Sequence, residues 1–404
     1  MKLNCIFIIF LSILIVLIHS KDDNLPLLSV VHLTAPFDSH IRGAAMTISS
    51  FIINIPKYSN LIADYFLIMP KYTLNSQLCS SELSSSITNF NLWCLDELKV
   101  LNITRDTLKK YVGAPNKKKG NTWRLQMLIK IFASTRIRTK YFIIVDSDTL
   151  LTKRIDKQSY LLPYGKARVT AERRNIHPKW FAASESLMRG KGCFDAEDGN
   201  KKMIGVTPSI LHRDTMISTA ARLLRLYGKV KVTTKLIQNI NEKNEEIRGK
   251  EETSLSVSLS SSSMKGVLKA TLGAYGSSNS WTEYSAYRVM SCLRSDFFKY
   301  HTFSSELQPG EVDGPLYYGY WDDQSFAQAW NGTSSSSSSS GNNGNTHLEK
   351  DHPMLRATFV VLQDDKVHLD TAAGVGFLRY MFCTHTSSGI PSLLVSLMQL
   401  PSCS

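Results

Sequence analysis

Two aspartates one residue apart, Asp146 and Asp148 around Ser147, close an apolar run from Tyr141 to Val145. Hard oxygen donors at that spacing can be aimed at one point by an extended or tightly turned backbone. They suit Mg²⁺ or Mn²⁺, with a diphosphate completing the coordination sphere. The same Asp-Ser-Asp triplet is also good turn chemistry, and the two readings stand side by side at this level. Further candidates flank it. Gln126 and Lys130 lie four residues apart upstream, His177 precedes a proline, and Glu283 sits between Trp281 and Tyr284. Each has an ordinary alternative: a solvated helix lysine, a helix-capping histidine, an acid favoured at a helix start by the dipole.

The elements around these residues follow from periodicity. The β-branched and aromatic run 141–145 is patterned as a strand buried on both faces, so its two carboxylates fall at the carboxyl edge of an α/β sheet, where such sheets bind ligands. Residues 27–35 read as a first strand ending in Thr34 to Asp38, Tyr65 to Met69 as a second and Glu97 to Ile103 as a third. Helical spacing covers 44–55, 121–135, 213–227 and 281–290, with Trp123, Met127 and Ile131 on one face of the second of these. Strand signals recur at 166–172, at 202–211 with a break at Gly205, and at 357–363; a closing helix is expected over 391–400. Ser80 to Ser86 reads as loop. Strands separated by helices predict a single α/β domain, doubly wound around a mostly parallel sheet with helices on both faces. Serine-rich composition marks insertions at 231–269 and 334–350 within a domain spanning 21–404. No internal repeat is found.

Composition bounds the partners. Forty-seven basic against 34 acidic residues give a net charge of +13, which favours anionic partners. No arginine-rich block with interleaved aromatics occurs, so nucleic acid is not expected. The first 20 residues carry an apolar run from Leu3 to Ile18 after Lys2, the pattern of a secretory signal peptide or of a retained anchor. The expected place is therefore the secretory pathway, in the ER or Golgi lumen or outside the cell, with membrane contact only through that segment. Outside it, Cys79, Cys94, Cys193, Cys292, Cys383 and Cys403 form an even set able to pair in an oxidising lumen. Asn102 and Asn331 head glycosylation sequons.

Taken in order, Trp123 to Lys130, Val145-Asp-Ser-Asp148, His177-Pro-Lys-Trp180, Gly205-Val-Thr-Pro208 and Trp281-Thr-Glu-Tyr284 resemble a family of predicted glycosyltransferases with the nucleotide-diphospho-sugar transferase (GT-A) fold, over roughly residues 28 to 300. The resemblance implies transfer of a sugar from a nucleotide-diphosphate donor to a glycan, protein or lipid acceptor, dependent on Mn²⁺ or Mg²⁺ at Asp146 and Asp148. It implies donor or substrate contacts for Thr34, Asp38, Trp123 and Gln126, and likewise for Lys130, Ser147, His177 and Trp281. It makes Glu283 the first choice of general base, with Asp323 or its neighbour Asp322 behind it, and leaves the third metal ligand open between His368 and His385. The alternative on the same fold is a catalytically inactive secreted protein that binds glycans or other partners.

Overall fold

A computed structural model describes residues 27–35, 37–56, 61–70, 77–112, 119–155, 165–190, 193, 202–204, 208–228, 261–272, 281–304, 317–320, 323–332, 359–362, 370–383 and 390–399. The expected signal or anchor, most of the 231–269 stretch, the whole of 334–350, Gly205, Asp322, His368 and His385 lie outside them.

The chain opens with β1 (Leu28–Leu33), helix α1 (Asp38–Asn54), β2 (Ile62–Met69) and β3 (Asn91–Asp96). Helix α2 (Lys119–Ala133) leads into β4 (Tyr141–Asp146), and β9 (Ser209–His212) completes the principal sheet in the order β3-β2-β1-β4-β9. The first four of these strands pair parallel and β9 runs antiparallel to β4. Period-two alternation divides the side chains between two cores. Tyr141, Ile143 and Val145 join Leu28 and Val30 under α1, while Phe142 and Ile144 join Val31 and Leu33 on the opposite face under α2. That second core is completed by α3 (Pro178–Met188), α4 (Arg213–Tyr227), α5 (Ser261–Leu272) and α6 (Glu283–Leu293). The protein is thus an α/β fold with a mostly parallel sheet covered on both faces.

Several expectations are corrected here. The third strand is 91–96, not 97–103: the Asp96 carboxylate accepts the Leu98 N–H at 3.0 Å and Asn102 takes a left-handed φ of 49°, so Glu97–Leu101 is a capped helix. Ser80 caps rather than loops, accepting from Leu83 N–H at 3.1 Å at the head of a short helix, Ser81–Ser86, that buries Leu83. The 166–172 strand is two short strands, β6 (Ala167–Val169) and β7 (Ala171–Arg173). Residues 261–269, expected within an insertion, belong to α5, whose Met264, Val267 and Leu268 are fully buried. Disulfides join Cys79 to Cys94 and Cys193 to Cys292, and Cys383 is also disulfide-bonded. No helix among the described residues is long and apolar enough to cross a membrane.

Candidate active site

Sheet order places the site. From β1 the chain proceeds to β2 on one side and later to β4 on the other, so the connections diverge between β1 and β4 and open a crevice at their carboxyl ends. Register pairs Leu33 with Asp146. Thr34 and Ser147 therefore continue side by side beyond the last paired residues, and the Asp-Ser-Asp turn lies at the crevice.

The turn is held from four directions. Beneath it, the buried His32 ring bridges Tyr65 Oη, 2.7 Å from Nδ1, and Ser147 Oγ, 3.2 Å from Nε2. Ser147 Oγ donates its own proton to the Leu33 carbonyl at 3.3 Å, so it accepts from Nε2–H, which leaves Nδ1 to accept from the tyrosine. Burial drives the His32 pKa down to about 3 and fixes this neutral form. From α1, Thr47 Oγ1 donates to Ser147 O at 3.4 Å, and Gly43 brings the helix so close that an added Cβ would lie 2.5 Å from that same oxygen. From the far end of the chain, strand β12 (Phe359–Leu362) pairs antiparallel with β5 (Thr149–Leu151), and Leu362 N–H donates to Asp148 O at 2.8 Å.

The fourth hold comes from α2. Lys130 Nζ stands 2.8 Å from Asp146 Oδ1, 3.2 Å from Oδ2 and 3.1 Å from Glu283 Oε1. Lysine and glutamate side chains are 3% and 1% exposed, whereas Asp146 is 38% exposed and looks into the crevice. Burial alone lowers the pKa of the ammonium. The carboxylates of Asp146 and Glu283 more than offset that and hold its pKa well above the ordinary lysine value. Burial raises the Glu283 carboxyl and the Lys130 ammonium opposes the rise.

Of the expected site residues, the structure gathers Lys130, Asp146, Ser147, Asp148 and Glu283 at one place and gives several of them other work. Glu283 is not positioned as an acceptor's base, because its carboxylate is sealed against Lys130 at the start of α6. Trp281, expected as a sugar-stacking ring, is 2% exposed and packs beside α5, with Nε1–H directed at Thr271 O at 3.5 Å. Ser147 works as a structural latch. Thr34 donates to His40 O at 3.1 Å, tying β1 to the first turn of α1, where Asp38 is exposed. Gln126 is half-buried one turn before Lys130. Trp123 and His177 fall together in an aromatic group beyond the crevice, His177 without capping the helix it precedes. Asp323 opens a late helix, Asp323–Gly332. His32, Tyr65 and Gly43 were not foreseen; the one available signal was a histidine inside a mostly apolar parallel strand.

The donor set can be tested against a divalent ion. Asp146 and Asp148 offer hard oxygens at a solvent-reachable strand end, and no group of three His, Cys, Asp or Glu side chains suited to a metal exists among the described residues. Two carboxylates with substrate phosphates and water supplying the rest is the way Mg²⁺ is ordinarily held, so the residues fit.

Fold and site together define an α/β protein with a paired-carboxylate crevice at the carboxyl edge of its sheet. The chain belongs to a family of unknown function (DUF6492), which it matches over residues 45–342. No curated protein matches it. Among solved structures it is similar to apo mouse xyloside xylosyltransferase 1, at 9% identity over 60% of this chain and 81% of that one, with a TM-score of 0.29. It is also similar to the apo WbbM bifunctional glycosyltransferase, at 10% identity over 88% of this chain, with a TM-score of 0.41. The chain spans 50% of the length of WbbM.

Proposed function

We propose that this protein is a glycosyltransferase that uses Mn²⁺ or Mg²⁺ to move a sugar from a nucleotide-diphosphate donor to a glycan, protein or lipid acceptor. The observation that carries the reading is the placing of Asp146 and Asp148 at the divergence of β1 and β4, braced from below by Lys130 and Ser147. Such a crevice suits a nucleotide, and a pair of acids at its edge suits the ion that accompanies a diphosphate. A bound divalent ion would supply Lewis-acid neutralisation of the departing diphosphate. The chain's own residues do the rest of the preparation. Lys130 holds the Asp146 carboxylate in place at the crevice, and Asp146 and Glu283 keep Lys130 charged. Gln126, half-buried one turn earlier on the same helix, is the candidate to donate an amide N–H to a phosphate oxygen. Disulfides Cys79–Cys94 and Cys193–Cys292 support work in the oxidising secretory lumen.

The test is transfer and donor binding measured with a panel of UDP-, GDP- and CMP-sugars in Mn²⁺. The wild type should bind and turn over at least one donor, and Asp146→Asn and Asp148→Asn should each lose about a hundredfold or more in turnover. A wild type that binds none of the panel overturns the reading. One observation favours a second reading, a non-catalytic glycan-binding protein: the expected base, Glu283, is committed to Lys130. Donor binding with no transfer to any acceptor in the same assay would select it.

A further inference from the structure

Helix α2 carries more than Lys130. Because β3 and β4 run parallel, the chain between them must return to the amino edge of the sheet. The last helix of that return, α2, therefore lies with its amino end toward the carboxyl edge. Lys130, near its carboxyl end, is already level with Asp146. Trp123, on the same helix face two turns earlier, is thus carried about 10 Å beyond the carboxylates.

It does not stand alone there. Its ring centroid is 6.2 Å from that of Trp180, in the first turn of α3, and His177 stacks on Trp180 at 3.7 Å with an interplanar angle of 11°. His177 Nε2 lies 3.8 Å from Glu172 Oε2 on β7. The two indoles and the imidazole are half-buried, in contrast to Trp281 in the core, and Ile176 beside them is 55% exposed. Two indoles, one with an imidazole stacked on its face, and a nearby carboxylate bring apolar ring surface and hydrogen-bonding groups together. A pyranose has the matching chemistry, an apolar C–H face with hydroxyls around its rim. A lipid chain would leave His177 and Glu172 without use.

We propose that Trp123, Trp180 and His177, with Glu172, form a saccharide-stacking wall that holds a ring of the acceptor above the carboxylate turn. This rests on the transferase reading for the word acceptor, though not for the binding itself.

The experiment is saturation-transfer NMR on the full chain with chitotriose, xylotriose and lacto-N-tetraose as probes, with no nucleotide and no metal ion present. The wild type should bind at least one of them, with saturation strongest on the C–H protons of one ring. Trp180→Leu and Trp123→Leu should each weaken that binding by about tenfold, and Trp180→Phe, which keeps a ring, should restore most of it. Thermal melts of each variant separate loss of the wall from loss of the fold. If a leucine variant melts early, the decision passes to Trp180→Phe and to Glu172→Gln, which should bind more weakly with unchanged ring saturation. No binding of any probe by folded wild type, or equal binding by wild type and the folded leucine variants, overturns the inference. Since neither donor nor ion is in the tube, that failure leaves the carboxylate turn untouched. Failure of the donor assay likewise leaves the wall standing.

Discussion

At the scale of single residues, the unusual group is Lys130, a fully buried ammonium between a buried carboxylate and a half-exposed one. Such a lysine is tolerated only because two acids face it, and the dependence runs both ways. Lys130→Met would leave Glu283 as an uncompensated charge in an apolar setting and should cost about 3–5 kcal/mol. Replacing both, Lys130→Met with Glu283→Leu, removes the charge along with its partner and should recover a large part of that loss. Urea denaturation of the two singles and the double measures this directly. A double variant no more stable than Lys130→Met would mean that Glu283 is not the lysine's buried counterion. In either background Asp146 loses the ammonium that orients it, so recovered stability should not bring back donor binding.

At the scale of elements, the turn depends on how closely α1 approaches β4. Gly43 leaves no room for a methyl group against Ser147 O, and that atom is backbone, so the helix or the turn must move to accept one. Gly43→Ala should destabilise by about 1–3 kcal/mol, as overpacking commonly does, and should also displace Asp146 and Asp148. Gly266→Ala is the control: its Cβ would collide with the Tyr227 carbonyl between α5 and α4, away from the crevice. Equal losses of stability with loss of Mn²⁺ binding in Gly43→Ala alone is the expected pattern; retained binding in both would detach the turn from the helix. Much of this architecture could be read from the sequence. The 141–146 strand announced itself by an unbroken β-branched and aromatic run, and α4 by periodicity from Arg213 to Tyr227 closed by Gly228. Less legible was whatever depends on a distant partner. Glu97–Leu101 resembled a strand because its apolar residues are short-spaced, and only the Asp96 cap makes it a helix. Trp281 and Glu283 looked like an exposed aromatic and acidic cluster. Their burial is set by α5 and by Lys130, which lie 10 and 153 residues away along the chain. Gly43 carried no local signal, since its role is defined by an oxygen more than a hundred residues later.

At the scale of the whole molecule, the sheet is pinned at both edges by histidines that the fold keeps neutral. His32 lies at the carboxyl edge under the Asp-Ser-Asp turn. At the opposite edge His212 stacks on Tyr300 at 3.5 Å, and His301 Nε2 lies 2.6 Å from Tyr287 Oη. Burial lowers all three: His32 and His212 to about 3, His301 well below its ordinary value, with Lys140 adding to the effect at His212. The folded pKa is thus below the unfolded one in each case. Above pH 6.5 both states are neutral and nothing is lost. Below it the unfolded chain takes up protons that the folded chain refuses, so stability falls as pH falls, until about pH 3 where His32 and His212 protonate in place. Each histidine withdraws about 1.4 kcal/mol per pH unit in that interval, so three acting together remove roughly 4 kcal/mol per unit, of which Glu97, its carboxyl raised to about 7 by burial, returns a part by taking up a proton inside the fold. A domain of ordinary stability, about 5–15 kcal/mol, cannot sustain that slope for more than a few units. Denaturant unfolding at pH 7.5, 6.5, 5.5 and 4.5 should therefore be flat over the first interval and fall steeply over the next two. His212→Gln, measured against its own value at pH 7.5, should flatten the slope by about 1.4 kcal/mol per unit. Stability that holds level down to pH 4.5 would show that these rings accept protons inside the fold. The bond between His32 Nδ1 and Tyr65 Oη would then reverse, the charged ring donating at both nitrogens, while the Nε2–H bond to Ser147 would stand.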